Sequence, residues 1–226
     1  MNTRGLSIPH TSFGNVTSDD LFCDKEQALF DFYERSKTRY SKAIDIGANI
    51  GVHSILMVRN GWEVRAYEPD PIHFAELCTN CVNHHAVPHG LMRQAVSNRN
   101  AAAQFTRVLG NTTGSHLTGL KEPYGELETF PVEVVDAEPL LAWADFAKVD
   151  AEGAEAEIVL RLEPSMTCEL MVEIGNERNA LAILGHLNEI GRRSWSQKTE
   201  WKEVRKIADM PAHHTEGALF IGDTPP

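Results

Sequence analysis

From residue 43 onward the chain repeats one pattern: a short apolar run, a turn, then a stretch with apolar positions at helical spacing. Residues 43–46, 63–67 and 91–96 read as strands, with helices over 51–60 and 71–84 between them. Pro71 suits the first turn of the second helix. The alternation resumes with strand 147–150, helix 152–162, strand 169–174 and helix 177–191, and closes with short strands at 203–207 and 218–221. Strands alternating with helices predict an α/β fold: a doubly wound, mostly parallel sheet with a helical layer on each face. The middle of the chain breaks the rhythm. Residues 102–108 and 130–135 read as strands on either side of a Gly/Thr/Ser/Asn-rich loop, 110–119, which predicts an inserted β-hairpin. Ahead of the first strand, residues 1–22 are polar and turn-rich, and Ser18, Asp19 and Asp20 offer caps for a helix over 21–36. The expected organisation is one domain over 41–226, preceded by an N-terminal appendage or lid over 1–40.

Composition narrows the class. A hydrophobic share of 42% is enough for a sizeable core, and 23% charged residues with dispersed aromatics argues against disorder. The 32 acidic and 21 basic residues give a formal charge of −11, which disfavours a broad electrostatic grip on nucleic acid. No run reaches the roughly 20 apolar residues of a membrane span, and the first residues lack the apolar centre of a secretory signal. A cytoplasmic protein is expected. Cys23, Cys78, Cys81 and Cys168 are too few and scattered for a disulfide framework. Cys78 and Cys81, followed by His84 and His85, have the spacing of half a zinc site. No second pair follows, so free thiols on a helix face are expected.

The chemistry concentrates at strand ends. Residues 45–51 read DIGANIG, after a strand and opening a helix. Glycines there let the backbone approach a ligand, and the helix start offers unpaired N–H groups. A dinucleotide fingerprint would read G-x-G-x-x-G and take a pyrophosphate. This turn instead carries Asp45 two places before Gly47, and a carboxylate there suits a ligand with an ammonium, such as the amino-acid end of S-adenosylmethionine. Asn49 replaces a central glycine and tolerates left-handed backbone angles better than most residues. The next strand ends in Glu68-Pro69-Asp70, 21 positions after Gly47, where a carboxylate can accept both ribose hydroxyls of a nucleoside. Order and spacing on the first two strands make the pair far more informative than either piece alone. A third strand ends at Asp150, in K-V-D-A-E-G-A-E over 148–155, which places Asp150 beside cofactor and substrate in the crevice at the carboxyl ends of the strands. Glu152 and Glu155 read equally well as acids favoured by a helix N-terminus.

DIGANIG, AYEPDP, QAVSN, NTTGSHL and KVDAEGAEAEIV, in this order, resemble the FkbM-type class I methyltransferases over about residues 43–162. The resemblance implies a Rossmann-like seven-stranded sheet, S-adenosyl-L-methionine as cofactor, and O-methylation of a hydroxyl on a sugar, glycan or small natural product. Carried over by position, Asp45, Gly47, Ala48, Asn49 and Gly51 would hold the methionine end and Glu68 the ribose, with Pro69 and Asp70 beside it. Ala95, Val96 and Ser97 would border the adenine. The family often has Asp where Asn98 stands, and a small hydroxyl residue where His116 stands. Asn111, Ser115 and His116 would face the acceptor.

For an alcohol acceptor the protein must align the nucleophile and help remove its proton. Asp150 is the first candidate base, His116 on its loop the second, and Glu173 at the tip of the next strand a third polar group. Asp150, Glu152 and Glu173 could instead hold Mg²⁺, although no metal is the favoured reading. His213 and His214 stand in a loop that could line the acceptor pocket, or be solvated. Trp195 and Trp201 could stack on a ring, or cover a sheet margin. Two other functions remain open at this level: a nucleic-acid methyltransferase, against which the acidic balance and the lack of an N-P-P-Y or D-P-P-Y motif count, and a non-catalytic cofactor-binding regulator.

Overall fold

The computed structural model describes residues 3–226. Its organising feature is a set of short strands with both faces covered: β1 (Lys42–Ile46), β2 (Glu63–Tyr67), β8 (Phe146–Val149) and β9 (Glu169–Glu173) are mostly buried, as expected inside a parallel sheet. In chain order the other strands are β3 (Gly90–Met92), β4 (Ala95–Ser97), β5 (Ala101–Val108), β6 (His116–Leu117), β7 (Leu127–Asp136), β10 (Ser194–Ser196), β11 (Lys202–Glu203) and β12 (Ala218–Ile221). The helices are α1 (Asp24–Arg35), α2 (Val52–Arg59), α3 (Pro71–Asn83), α4 (Ala137–Trp143), α5 (Glu155–Val159) and α6 (Glu177–Ile190).

The main sheet has the order β11-β10-β12-β9-β8-β1-β2-β3. Pairing is parallel from β9 to β3, and β12 runs antiparallel to both β9 and β10. This is a Rossmann-like α/β arrangement. It has eight strands rather than seven, because the two-residue β11 extends the edge. The expected strand over 91–96 divides: β3 ends the main sheet, and β4 joins a separate four-stranded sheet, β4-β7-β5-β6. That second sheet is the inserted hairpin enlarged, with β5 and β7 paired antiparallel over eight positions.

Alternation along each strand sorts side chains to two cores. Ala43, Val64, Phe146 and Phe220 face one side, under α1 and α2. Ile44, Ala147, Val172 and Leu219 face the other, under α4, α5 and α6. The N-terminal segment is part of the first core. Phe32 packs against Phe146 and Phe220 at ring separations of 5.5 and 5.4 Å, and Tyr33 lies edge-on to Trp62.

Helix boundaries moved for local reasons. A 3-10 turn, Asp20–Phe22, precedes α1, so that helix starts at Asp24 with no side-chain cap, and Asp20 instead accepts the Thr17 N–H. The helix expected from 152 starts only at Glu155, because Glu152 and Gly153 adopt left-handed angles (φ 46 and 110). Pro71 occupies the first turn of α3 as expected, with Asp70 as its cap. Cys78 and Cys81 are free on that helix.

Candidate active site

The sheet order reverses between β1 and β8: the chain winds outward from β1 toward β3 on one side and from β8 toward β9 on the other. A crevice opens outside the strand ends at such a switch point. Here it is a cleft of about 1040 Å³, counting its open mouth. Gly47, Asn49, Glu68, Pro69, Asp70, Ala95, Val96, Ser115, Asp150, Glu152 and Glu173 all line it, so most of the residues singled out in the sequence converge on one place.

The glycine loop is shaped by close approach. Gly47 has φ 73, and a Cβ there would lie 1.8 Å from the carbonyl oxygen of Asp150. Gly51 has φ 94, and a Cβ would meet Leu77 at 2.5 Å. Asn49 takes a left-handed conformation, φ 50, as its residue type allows. Its Oδ1 is buried without a partner among the described residues.

Glu68 closes the other wall. Its two carboxylate oxygens accept the backbone N–H groups of Asn49 at 2.9 Å and Asp70 at 2.8 Å. Burial dominates its chemistry and pushes its pKa up to about 8, against those two hydrogen bonds. Asp70 is tied down differently. It caps α3 by accepting the Ile72 N–H at 2.8 Å, and it takes a two-pronged hydrogen bond from Arg107 of β5, both prongs 2.6 Å.

At the floor stand Glu26, Asp150, Glu152 and Glu173, with Lys148 buried beneath. Lys148 Nζ donates to the Gly47 carbonyl at 3.1 Å and to Asp150 Oδ2 at 3.3 Å, and lies 3.8 Å from Asp45. Burial opposes its charge, yet Asp150 and Asp45 hold it protonated. Burial, then the charge of Asp150, drives Glu152 up to about 7 and Glu173 well above the carboxylate range. Glu152 is also paired with Lys121 at 2.5 Å. Glu26 behaves oppositely: burial would raise it, but His53, 3.1 Å away, keeps it below its ordinary value. Among the described residues no three His, Cys, Asp or Glu side chains are placed to hold a metal ion, Asp150, Glu152 and Glu173 included.

Several expected residues lie elsewhere. Asp45 faces α2 rather than the cleft and accepts the Ser54 hydroxyl at 2.5 Å, because alternation along β1 turns it to the same face as Ala43. Ala48 and Gly51 form the loop without lining the cleft. Ser97 is hydrogen-bonded to Glu157, and Asn98 lines a different groove. His116 is not on a mobile loop: it sits in β6, 1% exposed, its Nδ1 3.0 Å from the Gly114 carbonyl, while its neighbours Ser115 and Leu117 face the cleft. Asn111 is engaged by Tyr124 and Thr113. Trp195 donates to the Gly222 carbonyl inside the sheet edge, and Trp201 packs at the core margin. His214 lines a second cavity, of about 920 Å³, that shares Glu26 and Glu173 with the cleft.

Sequence reasoning missed Glu26, Lys148, His73 and Arg107. His73 faces the cleft with its Nε2 3.0 Å from the Thr112 hydroxyl. Its position three residues after Asp70, on the first turn of a helix opening at the site, was the available signal. Glu26 and Arg107 come from the N-terminal segment and the inserted sheet, and no local pattern announces them.

No family model matches the chain and no curated protein matches it. Solved structures do resemble it at low identity. Precorrin-6y C5,15-methyltransferase from Geobacter metallireducens is 13% identical over 91% of this chain and 94% of its own, with a TM-score of 0.45. The N-terminal domain of human METTL16 is 15% identical over 96% and 74%, TM-score 0.46. Magnesium protoporphyrin IX methyltransferase from Synechocystis, with bound SAM, is 12% identical over 88% and 80%, TM-score 0.45.

Proposed function

We propose that this chain is an S-adenosylmethionine-dependent methyltransferase that methylates a hydroxyl of a sugar, glycan or other small natural product. The observation that carries the reading is the Glu68 carboxylate, buried at the tip of β2 and aligned by two backbone N–H groups. It faces the same cleft as the glycine loop at the sheet's switch point. The residues fit the cofactor. In its ionised form Glu68 retains lone pairs for two ribose hydroxyls, and the unpartnered Asn49 Oδ1 offers an acceptor on the loop side, suited to an ammonium. Ala95 and Val96 supply an apolar wall for the adenine.

The cofactor supplies an electrophilic methyl group; the chain supplies alignment and proton removal. Asp150 is the proton acceptor in this reading. Its Oδ2 is held by Lys148, which leaves Oδ1 for the acceptor hydroxyl. Glu173, driven well above the carboxylate range, is suited to hydrogen-bonding the acceptor rather than deprotonating it. Val16, Asp20, Leu21 and Glu26 of the N-terminal segment cover the cleft, which gives that segment the role of a lid and favours a small acceptor.

Incubation with methyl-labelled S-adenosylmethionine and separate panels of sugars, polyhydroxylated natural products, RNA and protein tests the reading. Label is expected in a sugar or small polyol. Label only in RNA or protein removes the acceptor class, and no transfer to any panel removes the activity.

A further inference from the structure

Strand β5 of the inserted sheet reaches the Glu68 side of the cleft through the buried side chain of Arg107, which meets Asp70. Arg107 of β5 is 6% exposed, and its guanidinium forks onto Asp70, itself 1% exposed, with Nε–Oδ2 and Nη2–Oδ1 both at 2.6 Å. The remaining prong, Nη1, reaches Glu128 of β7 at 2.5 Å, and the guanidinium carbon lies 4.8 Å from the Phe130 ring centre. Asp70 is thereby held from two sides, by Arg107 and by the start of α3. Its backbone N–H in turn donates to Glu68 Oε1 at 2.8 Å. A planar fork fixes the orientation of a carboxylate in a way that a point charge does not.

We propose that Arg107 is a positioning residue for nucleoside recognition: acting through Asp70, it sets the orientation of the Glu68 carboxylate and so the site's requirement for ribose hydroxyls. Strand β5 then influences cofactor selectivity through Asp70 and Glu68, without a cofactor contact from Arg107 itself. This rests on the assignment of Glu68 as the ribose ligand.

The test measures binding, not turnover. S-adenosylhomocysteine and its analogue lacking both ribose hydroxyls are titrated calorimetrically into the wild-type chain of 226 residues, Arg107→Met and Arg107→Lys. Thermal melts confirm that each variant is folded. Wild type is expected to prefer S-adenosylhomocysteine strongly. Arg107→Met is expected to weaken that ligand by about tenfold while leaving the analogue within about threefold, so that the preference collapses. Arg107→Lys, which keeps the charge but loses the fork, is expected to fall between, and it carries the comparison if the Met variant does not fold. Variants that weaken both ligands equally, or that retain the full wild-type preference, overturn the proposal and leave the cofactor reading intact. A wild type that binds neither ligand, or that shows no preference, overturns the cofactor or ribose assignment itself and this proposal with it.

Discussion

Gly47 shows how little freedom the site leaves a single residue. A methyl group there meets the Asp150 carbonyl, and the backbone is already in the left-handed region. Gly47→Ala is expected to cost about 3 kcal/mol of stability through strain and overpacking, read as a lower urea midpoint. Asp150→Asn keeps the side chain's size, so S-adenosylhomocysteine affinity is expected to stay within a few-fold. Turnover is expected to fall about a hundredfold or more, and unchanged turnover would move the base to another residue. Glu68 gives a pH signature. A carboxyl raised to about 8 in the fold binds its proton more tightly native than unfolded. Its contribution is therefore full below the ordinary glutamate range and is lost as pH rises through about 8. Urea melts of the ligand-free protein are expected to show stability falling over that window, with a shallower fall in Glu68→Gln. Glu152, raised to about 7, adds a contribution of the same sign and remains in the variant.

At the scale of elements, α1 contributes Leu29, Phe30, Phe32 and Tyr33 to the first core. Phe32 is 2% exposed against Phe146 and Phe220, and Phe32→Ala is expected to cost about 4 kcal/mol, measurable by chemical denaturation. Strands β1, β2, β8 and β9 were legible as short, mostly apolar runs, and helices α2, α3 and α6 as the longer stretches that follow strands. Glu68, Asp150 and the glycine loop were legible because chemistry placed at strand ends leaves its residues next to recognisable turns. What the sequence concealed depends on contacts distant in the chain. Asp45 is acidic and only two places before Gly47, yet alternation along β1 turns it under α2. His116 reads as a loop residue, but pairing with Thr106 makes it part of a buried strand. The split between β3 and β4 falls at Arg93 and Gln94, but only the partner strands decide which sheet each half joins. Arg107 meets Asp70 across 37 positions, beyond the reach of any motif.

For the whole molecule, two cores sandwich one sheet, and the cleft lies where the winding reverses. The N-terminal segment covers one side of that cleft and the inserted sheet the other. No helix is long and apolar enough to cross a membrane. Glu26 and Glu173 line both the cleft and the cavity beside His214. The central claim is that Glu68 and the glycine loop together hold S-adenosylmethionine. Isothermal titration with S-adenosylhomocysteine, on wild type and Glu68→Gln side by side, tests it directly. One site per chain with micromolar affinity is expected for wild type, weakened at least about tenfold in the variant. Absence of heat at millimolar ligand, or equal affinity in the two proteins, would contradict it.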